Sequence, residues 1–190
     1  GPGMVMTVGP LSQAIDSAKT NMNVLGKPSP KVVYMSPQGK RLDQQVINEL
    51  AQQDSLIVLC GRYEGIDERL IDAEVDQELS LGDYVISGGE LAAMVLLDAM
   101  IRQLPDALGD SESASQDSFA GRPLLDCPHY SRPDDIAGRV VPSVLLSGDH
   151  EAIRRWRLRQ SLIRTRDRRP DLFAKLELSD EECKLLDESY

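Results

Sequence analysis

Aromatic residues are scarce in this 190-residue chain: one Trp, five Tyr and two Phe, 4% in all. Its core must therefore be mainly aliphatic, and 41% hydrophobic residues are enough for one domain or two small ones. Cysteine is sparse too. Cys60, Cys127 and Cys183 are far apart, odd in number and form no CxxC pair. That excludes a disulfide framework, argues against structural zinc and fits a reducing, cytoplasmic setting. With His129 and His150 the only histidines, no metal site is expected. No apolar run approaches the roughly 20 residues of a membrane span, and the start lacks the charged and apolar regions of a signal peptide. Positive charge is also in deficit. Lys and Arg number 21 against 31 Asp and Glu, a net −10, which speaks against non-specific nucleic-acid binding by the chain as a whole while leaving room for a local patch.

What is present is a regular alternation. Leu11, Ala14, Ile15 and Ala18 recur at helical spacing. "KVVYMS" (31–36) reads as a buried strand from which "PQGK" turns away. "DQQVINELAQQ" reads as a helix capped by Asp43, and "SLIVLC" (55–60) as a second buried strand. "GIDERLIDAE" suits a short helix or turn, "VDQELSLGDYVIS" two short strands, and "GELAAMVLLDAMIRQL" (89–104) a strong helix. Short apolar strands alternating with helices predict an α/β fold with a parallel sheet covered on both faces. This domain is expected to span 1–108. The small, acidic stretch at 109–116 reads as a flexible linker. Residues 117–190 read as a mostly helical domain, with Asp149 capping a long helix, Pro170 opening another, and Ser179 and Glu182 at capping-box spacing.

Two features carry chemistry. The first is "RRWRLRQSLIRTRDRR", Arg154–Arg169, with eight arginines against one acid. Such a run is either a solvated face paired with acids elsewhere or a phosphate-binding stripe, since guanidinium forks match phosphate oxygens. The second is a set of three glycine-rich corners after apolar runs: "YMSPQG", "CGRYEG" and "SLGDYVISGGE". Ligands of parallel α/β sheets bind outside the carboxyl ends of the strands. None of the three fits GxxxxGK[ST] or GxGxxG, and the nearby Lys40 comes after the first loop. Each corner alone is an ordinary turn. Three together, with Met35, Leu81, Val85 and Ile86, better suit a flat nucleoside than a triphosphate.

"YMSPQGKRLDQ", "LCGRYEGIDER", "SLGDYVISGGELAAM", "QDSF", "LLDCPHYSRP" and "VPSVLLSGDHEAIRRWRLRQSLIRT" occur in one order over nearly the whole chain. Together they resemble the bacterial tRNA (guanine-N1)-methyltransferases of the TrmD family. The resemblance implies a SPOUT fold, an α/β parallel sheet with a deep trefoil knot, followed by a helical C-terminal tRNA-binding domain. It implies a homodimer with active sites at the subunit interface, S-adenosylmethionine as methyl donor, Mg²⁺ associated with activity, and N1 of guanosine 37 of tRNA as acceptor. The rival that keeps the fold is a SPOUT-type enzyme acting on another RNA position. A non-catalytic RNA-binding protein and a small-molecule enzyme are further rivals, the last opposed by the basic helix. Family members carry a strand, a helix and a loop before a "GGPGM" segment. The "GPGM" start is accordingly read as a native loop, with that N-terminal region absent from this numbering.

By the same resemblance Asp117 is the general base and Arg102 the cation that stabilises charge on guanine O6. Read alone, Asp117 is a linker acid or N-cap and Arg102 a complement to a helix dipole. The implied cofactor site comprises Tyr34, Met35, Ser36 and Pro37; Gly61, Tyr63 and Glu64; Ser80, Leu81, Gly82, Asp83, Tyr84, Val85, Ile86, Gly88 and Gly89; and Asp126. Asp126 follows an interval from Asp117 that is one residue longer than the family's usual pattern, around Gly121–Arg122–Pro123. The implied tRNA contacts are Arg154, Arg155, Arg157, Arg159, Arg164 and Arg166.

Overall fold

The computed structural model describes residues 3–105, 107 and 117–188. They divide between two units, Gly1–Ala107 and Leu108–Tyr190. The linker expected at 109–116 lies outside the described residues.

In the first unit α1 (Val8–Val24) precedes β1 (Lys31–Arg41), followed by α2 (Gln44–Ala51), β2 (Leu56–Cys60), α3 (Glu68–Glu74), β3 (Gln77–Ser80) and α4 (Glu90–Ile101). β1 lies between β2 and β3 and runs parallel to both. Parallel neighbours need crossovers, which α2 and α3 provide. Side chains of a strand alternate between faces, and β1 is apolar on both. Val33 and Met35 join Val46, Ile47 and Leu50 of α2, Leu79, and Ala92, Ala93 and Leu96 of α4. Val32 and Tyr34 join Ile15 of α1, Leu59, Ile66 and Leu70 of α3. The helices start where the sequence places caps. The Asp43 carboxylate accepts from the Val46 N–H at 3.0 Å, and Asp67 accepts from the Arg69 N–H at 3.0 Å.

Two local expectations are corrected. "PQGK" does not end β1. Met35 and Lys40 both pair with Leu79, so Ser36–Gly39 leave the ladder and return to the same partner. Gly39 permits this because a side chain there would collide with the backbone of Glu78 and Leu79. Only one strand forms in "VDQELSLGDYVIS". The Ser80 hydroxyl accepts from the Gly82 N–H (3.2 Å) and donates to the Gly82 carbonyl (3.1 Å), curling the chain away from the sheet. Tyr84 and Val85 remain exposed, Val85 to 82%, so their alternation is not that of a buried strand.

The second unit holds a two-stranded hairpin, β4 (Asp135–Ile136) with β5 (Arg139–Val140), then α5 (Ser143–Leu146), α6 (His150–Arg168), α7 (Pro170–Phe173) and α8 (Asp180–Asp187). The hairpin was not expected; its two-residue strands are too short to show a period. It turns through Ala137 and Gly138, both at positive φ, with the Gly138 N–H donating to Asp135 at 2.7 Å. Asp149 caps α6 by accepting from Glu151 and Ala152, and Ser179 and Glu182 form the capping box of α8. α6 packs on α7 and α8 and buries Trp156, Leu162 and Thr165.

Leu79 is fully buried, the residue to which β1 returns. Leu79→Ala is expected to lower stability by about 2–5 kcal/mol in urea titration. A loss well below 1 kcal/mol would contradict its place at the centre of the sheet.

Candidate active site

Parallel pairing sends the carboxyl ends of β1, β2 and β3 to one edge, and a pocket opens there. Its walls are Tyr34–Pro37, where β1 leaves its ladder, Gly61–Gly65 after β2, and Leu79–Gly82 at the end of β3 with Tyr84–Gly89 beyond it. Every first-unit residue expected at the cofactor site lines it except Asp83. Arg62, Gly65, Leu79, Ser87 and Ala92 also line it and were not expected. Four of them lie inside the quoted motifs, but position in a motif does not reveal which side chains turn inward.

The loops are stitched together. The Gly89 N–H donates to the Gly61 carbonyl at 2.9 Å, and Arg62 forms an antiparallel bridge with Gly88. Gly89 is needed here, since a Cβ would stand 2.8 Å from the Cys60 Cα and 3.0 Å from the Gly61 nitrogen. Arg62, the only cation among the described lining residues, donates from Nε to Glu90 Oε1 at 2.7 Å. Its charge is therefore matched by Glu90 beside the pocket, and a triphosphate would find no spare cation among those residues. Burial, then the carboxylates of Glu78 and Glu68, push the Tyr34 phenol up, keeping it protonated. Tyr63 sits at φ 61° in the left-handed region, a conformation that costs on the order of 1–3 kcal/mol and clusters at ligand sites. Backbone groups, apolar side chains and one carboxylate, Glu64, suit a flat ligand with a cationic arm. Arg102 follows α4 and donates its N–H to the Asp98 carbonyl at 3.1 Å.

Asp117 and Asp126 belong to the second unit. The Asp126 N–H donates to the Ser118 hydroxyl at 2.9 Å, which links the two acids' surroundings. Asp126 Oδ1 accepts from the Cys127 N–H at 2.6 Å, and Oδ2 meets His129 Nε2 at 2.8 Å. Burial alone would raise the Asp126 carboxyl; the bonds from His129 and Cys127 outweigh it and hold it below the usual range. Asp126, Cys127 and His129 place one ligand atom each within 4.8 Å of one another. A thiol and an imidazole suit a soft ion rather than Mg²⁺, which takes oxygen ligands, and the Asp–His hydrogen bond already engages two of the three groups.

The basic helix sorts into two sets. Arg154 binds Glu151 and Glu181, Arg155 binds Glu181 and Glu188, and Arg159 donates to the carbonyls of Leu185 and Glu188. These three secure α8, where guanidiniums at a C-terminal end complement the exposed carbonyls. Arg166 pairs with its neighbour Asp167 at 2.9 Å. Arg157, Arg164 and Arg168 form no ion pair with a described residue, and their spacing of seven and four puts them on one helix face. Arg168 was not among the expected contacts.

A parallel α/β unit whose three strand ends converge on a backbone-lined pocket is the architecture of a nucleotide- or nucleoside-binding enzyme. The family follows from comparison: the model for "tRNA (Guanine-1)-methyltransferase TrmD" matches residues 1–175, and the chain belongs to that family. A protein from Dechloromonas aromatica (strain RCB) named tRNA (guanine-N(1)-)-methyltransferase is 59% identical over 99% of this chain and 74% of its own length. Proteins of the same name from Sodalis glossinidius (strain morsitans) and Nitrosospira multiformis are also 59% identical over 99% of the chain, with 73% and 74% of their own lengths covered.

Proposed function

We propose that the protein methylates N1 of a guanosine in tRNA, the one at position 37 beside the anticodon, using S-adenosylmethionine. The observation that carries the reading is the single pocket built by three motifs that the chain holds in common order with the family. In this reading the third loop wraps the adenine, and Glu64 and Asp126 face the donor's positive groups. S-adenosylmethionine supplies a methyl group activated by a sulfonium. Asp117 accepts the N1 proton of guanine as the N–C bond forms and the C–S bond breaks. General-base assistance of this kind is typically worth about 10²–10⁴-fold. Arg102 faces guanine O6, where negative charge gathers; losing one such preorganised donor costs about 2.7–4 kcal/mol. Mg²⁺ would act through RNA phosphates or carboxylates, since the Asp126–Cys127–His129 group is the wrong chemistry for it.

The same proposal includes a trefoil knot in the first unit, a tRNA-binding second unit, a cytoplasmic setting and a homodimer whose interface completes the active site. α4 supports the dimer. It is apolar nearly all round, and such a helix requires burial. Yet Leu91, Met94, Val95 and Ile101 stay exposed, Met94 to 65%. The face carrying Arg157, Arg164 and Arg168 is the natural phosphate stripe, while Arg154, Arg155 and Arg159 serve mainly to hold α8.

A transcript with guanosine at position 37 is expected to accept labelled methyl, its adenosine variant none. Equal labelling of both would favour the reading in which another RNA position is modified. Asp117→Ala should abolish turnover and leave donor binding by calorimetry unchanged; parallel loss of both would remove Asp117 as base. Arg157→Ala or Arg164→Ala should weaken tRNA binding and reduce the log–log salt slope by about 0.7–0.9 each. Arg155→Ala should lower the melting temperature and leave that slope unchanged. The opposite pattern would reverse the sorting.

A further inference from the structure

The segment from Asp117 to Asp126 carries both acids of the proposed mechanism, with Gly121–Arg122–Pro123 at its tip. It is closed on itself near its base. The Phe119 N–H donates to the Leu124 carbonyl at 2.9 Å, and the Asp126 N–H donates to the Ser118 hydroxyl at 2.9 Å. Phe119 takes φ 70°, which surrounding contacts must hold in place.

The tip is tied down from outside. Arg122 Nη1 lies 2.6 Å from Glu182 Oε1, and its Nη2 reaches Glu182 Oε2 and the Glu177 carbonyl at 3.4 Å. Glu182 is 4% exposed, and its Oε2 also accepts the Ser179 N–H at 2.8 Å. One carboxylate thus caps α8 and holds the loop. A second tie lies at the loop's exit. The Leu125 N–H donates at 2.9 Å to the hydroxyl of Thr165 on α6, which is fully buried and donates in turn to the Ser161 carbonyl. Burial pushes the Glu182 carboxyl upward, but the bonds from Arg122 and Ser179 outweigh it and keep it below its ordinary range, so the pair is charged at neutral pH. Glu182 lies beyond residue 175, where the family match ends.

We infer that Arg122 is a positioning residue: clamped to Glu182, it uses helix α8 to hold the Asp117–Asp126 segment in the geometry that proton removal requires. The inference rests on the role proposed above for that segment. Arg122 is not one of the two acids; it acts through the loop whose tip it holds. The plainer alternative is a bond that only docks α8. Docking alone predicts lost stability and unchanged chemistry per folded molecule. Positioning predicts slower chemistry with substrate affinity retained, because small misplacements of reacting groups cost rate steeply.

The test compares full-length protein with Arg122→Ala, Arg122→Lys, Glu182→Gln and the double variant Arg122→Ala/Glu182→Gln. Glu182→Gln retains an oxygen for the Ser179 N–H, so it removes the charge pair and spares the cap. Single-turnover methyl transfer to tRNA should fall about 10- to 100-fold in Arg122→Ala and Glu182→Gln, with KM for tRNA little changed. The double variant should be no slower than the worse single one, as partners in one interaction are non-additive. Arg122→Lys should recover most of the rate. Amide exchange across Ser118–Asp126 should quicken in the slow variants while that of α6 stays as it was. Full single-turnover rate in Arg122→Ala, even with a lowered melting temperature, would overturn the inference; so would unchanged exchange in the loop. If the unmodified protein transferred no methyl but Ser118–Asp126 exchange quickened only when the pair was broken, the proposed activity would fall and the clamp would stand.

Discussion

Pairing of β1 with β2 on one side and β3 on the other is the constraint on which the first unit depends. Because both ladders are parallel, three carboxyl ends must finish at one edge. Because β1 is apolar on both faces, helices must cover both. The excursion of Ser36–Gly39 follows from the same pairing: β1 leaves Leu79 and comes back to it. That detour, together with the curl set by the Ser80 hydroxyl, gives the pocket two of its walls. The site is a consequence of how the sheet ends, so core packing and ligand geometry rest on the same few residues.

The acidic balance of the chain and its basic helix are two parts of one arrangement. Acids of α8 and the residues flanking it neutralise the arginines on one side of α6 and fasten the helices together. Arg157, Arg164 and Arg168 lie on a face of the same helix and form no ion pair with a described residue, while Arg166 and Arg169 pair locally with Asp167 and Asp171. Exposed ion pairs of this type each contribute little, about 0–1 kcal/mol; their effect is to decide which guanidiniums are available. The Arg122–Glu182 pair differs because its carboxylate is buried while its guanidinium stays exposed; removing Arg122 would leave the Glu182 charge in a desolvated place without its cation.

Much of the fold was legible because the signals are local. Asp43, Asp149 and the Ser179–Glu182 box announce helix starts within four residues of themselves, and "SLIVLC" needs no context to read as a buried strand. The errors arose where a distant residue decides. "PQGK" looks like a strand end unless Leu79 is known to recapture the chain. Tyr84–Ile86 looks like a strand because a pocket wall and a sheet face both favour apolar residues; only exposure separates them. The sorting of arginines depends on acids 26 to 33 positions away, beyond any periodicity. Most of the pocket residues were reached through family likeness, whereas Arg62 and Ser87 emerged only when the loops were seen together.

The central claim is that three strand-end loops act as one site for the methyl donor. Amide hydrogen exchange with and without S-adenosylmethionine tests it most directly. The account predicts that Tyr34–Gly39, Gly61–Gly65 and Ser80–Gly89 gain protection together and with the same dependence on donor concentration. Protection confined to one loop, or in none of the three despite saturating donor, would contradict it.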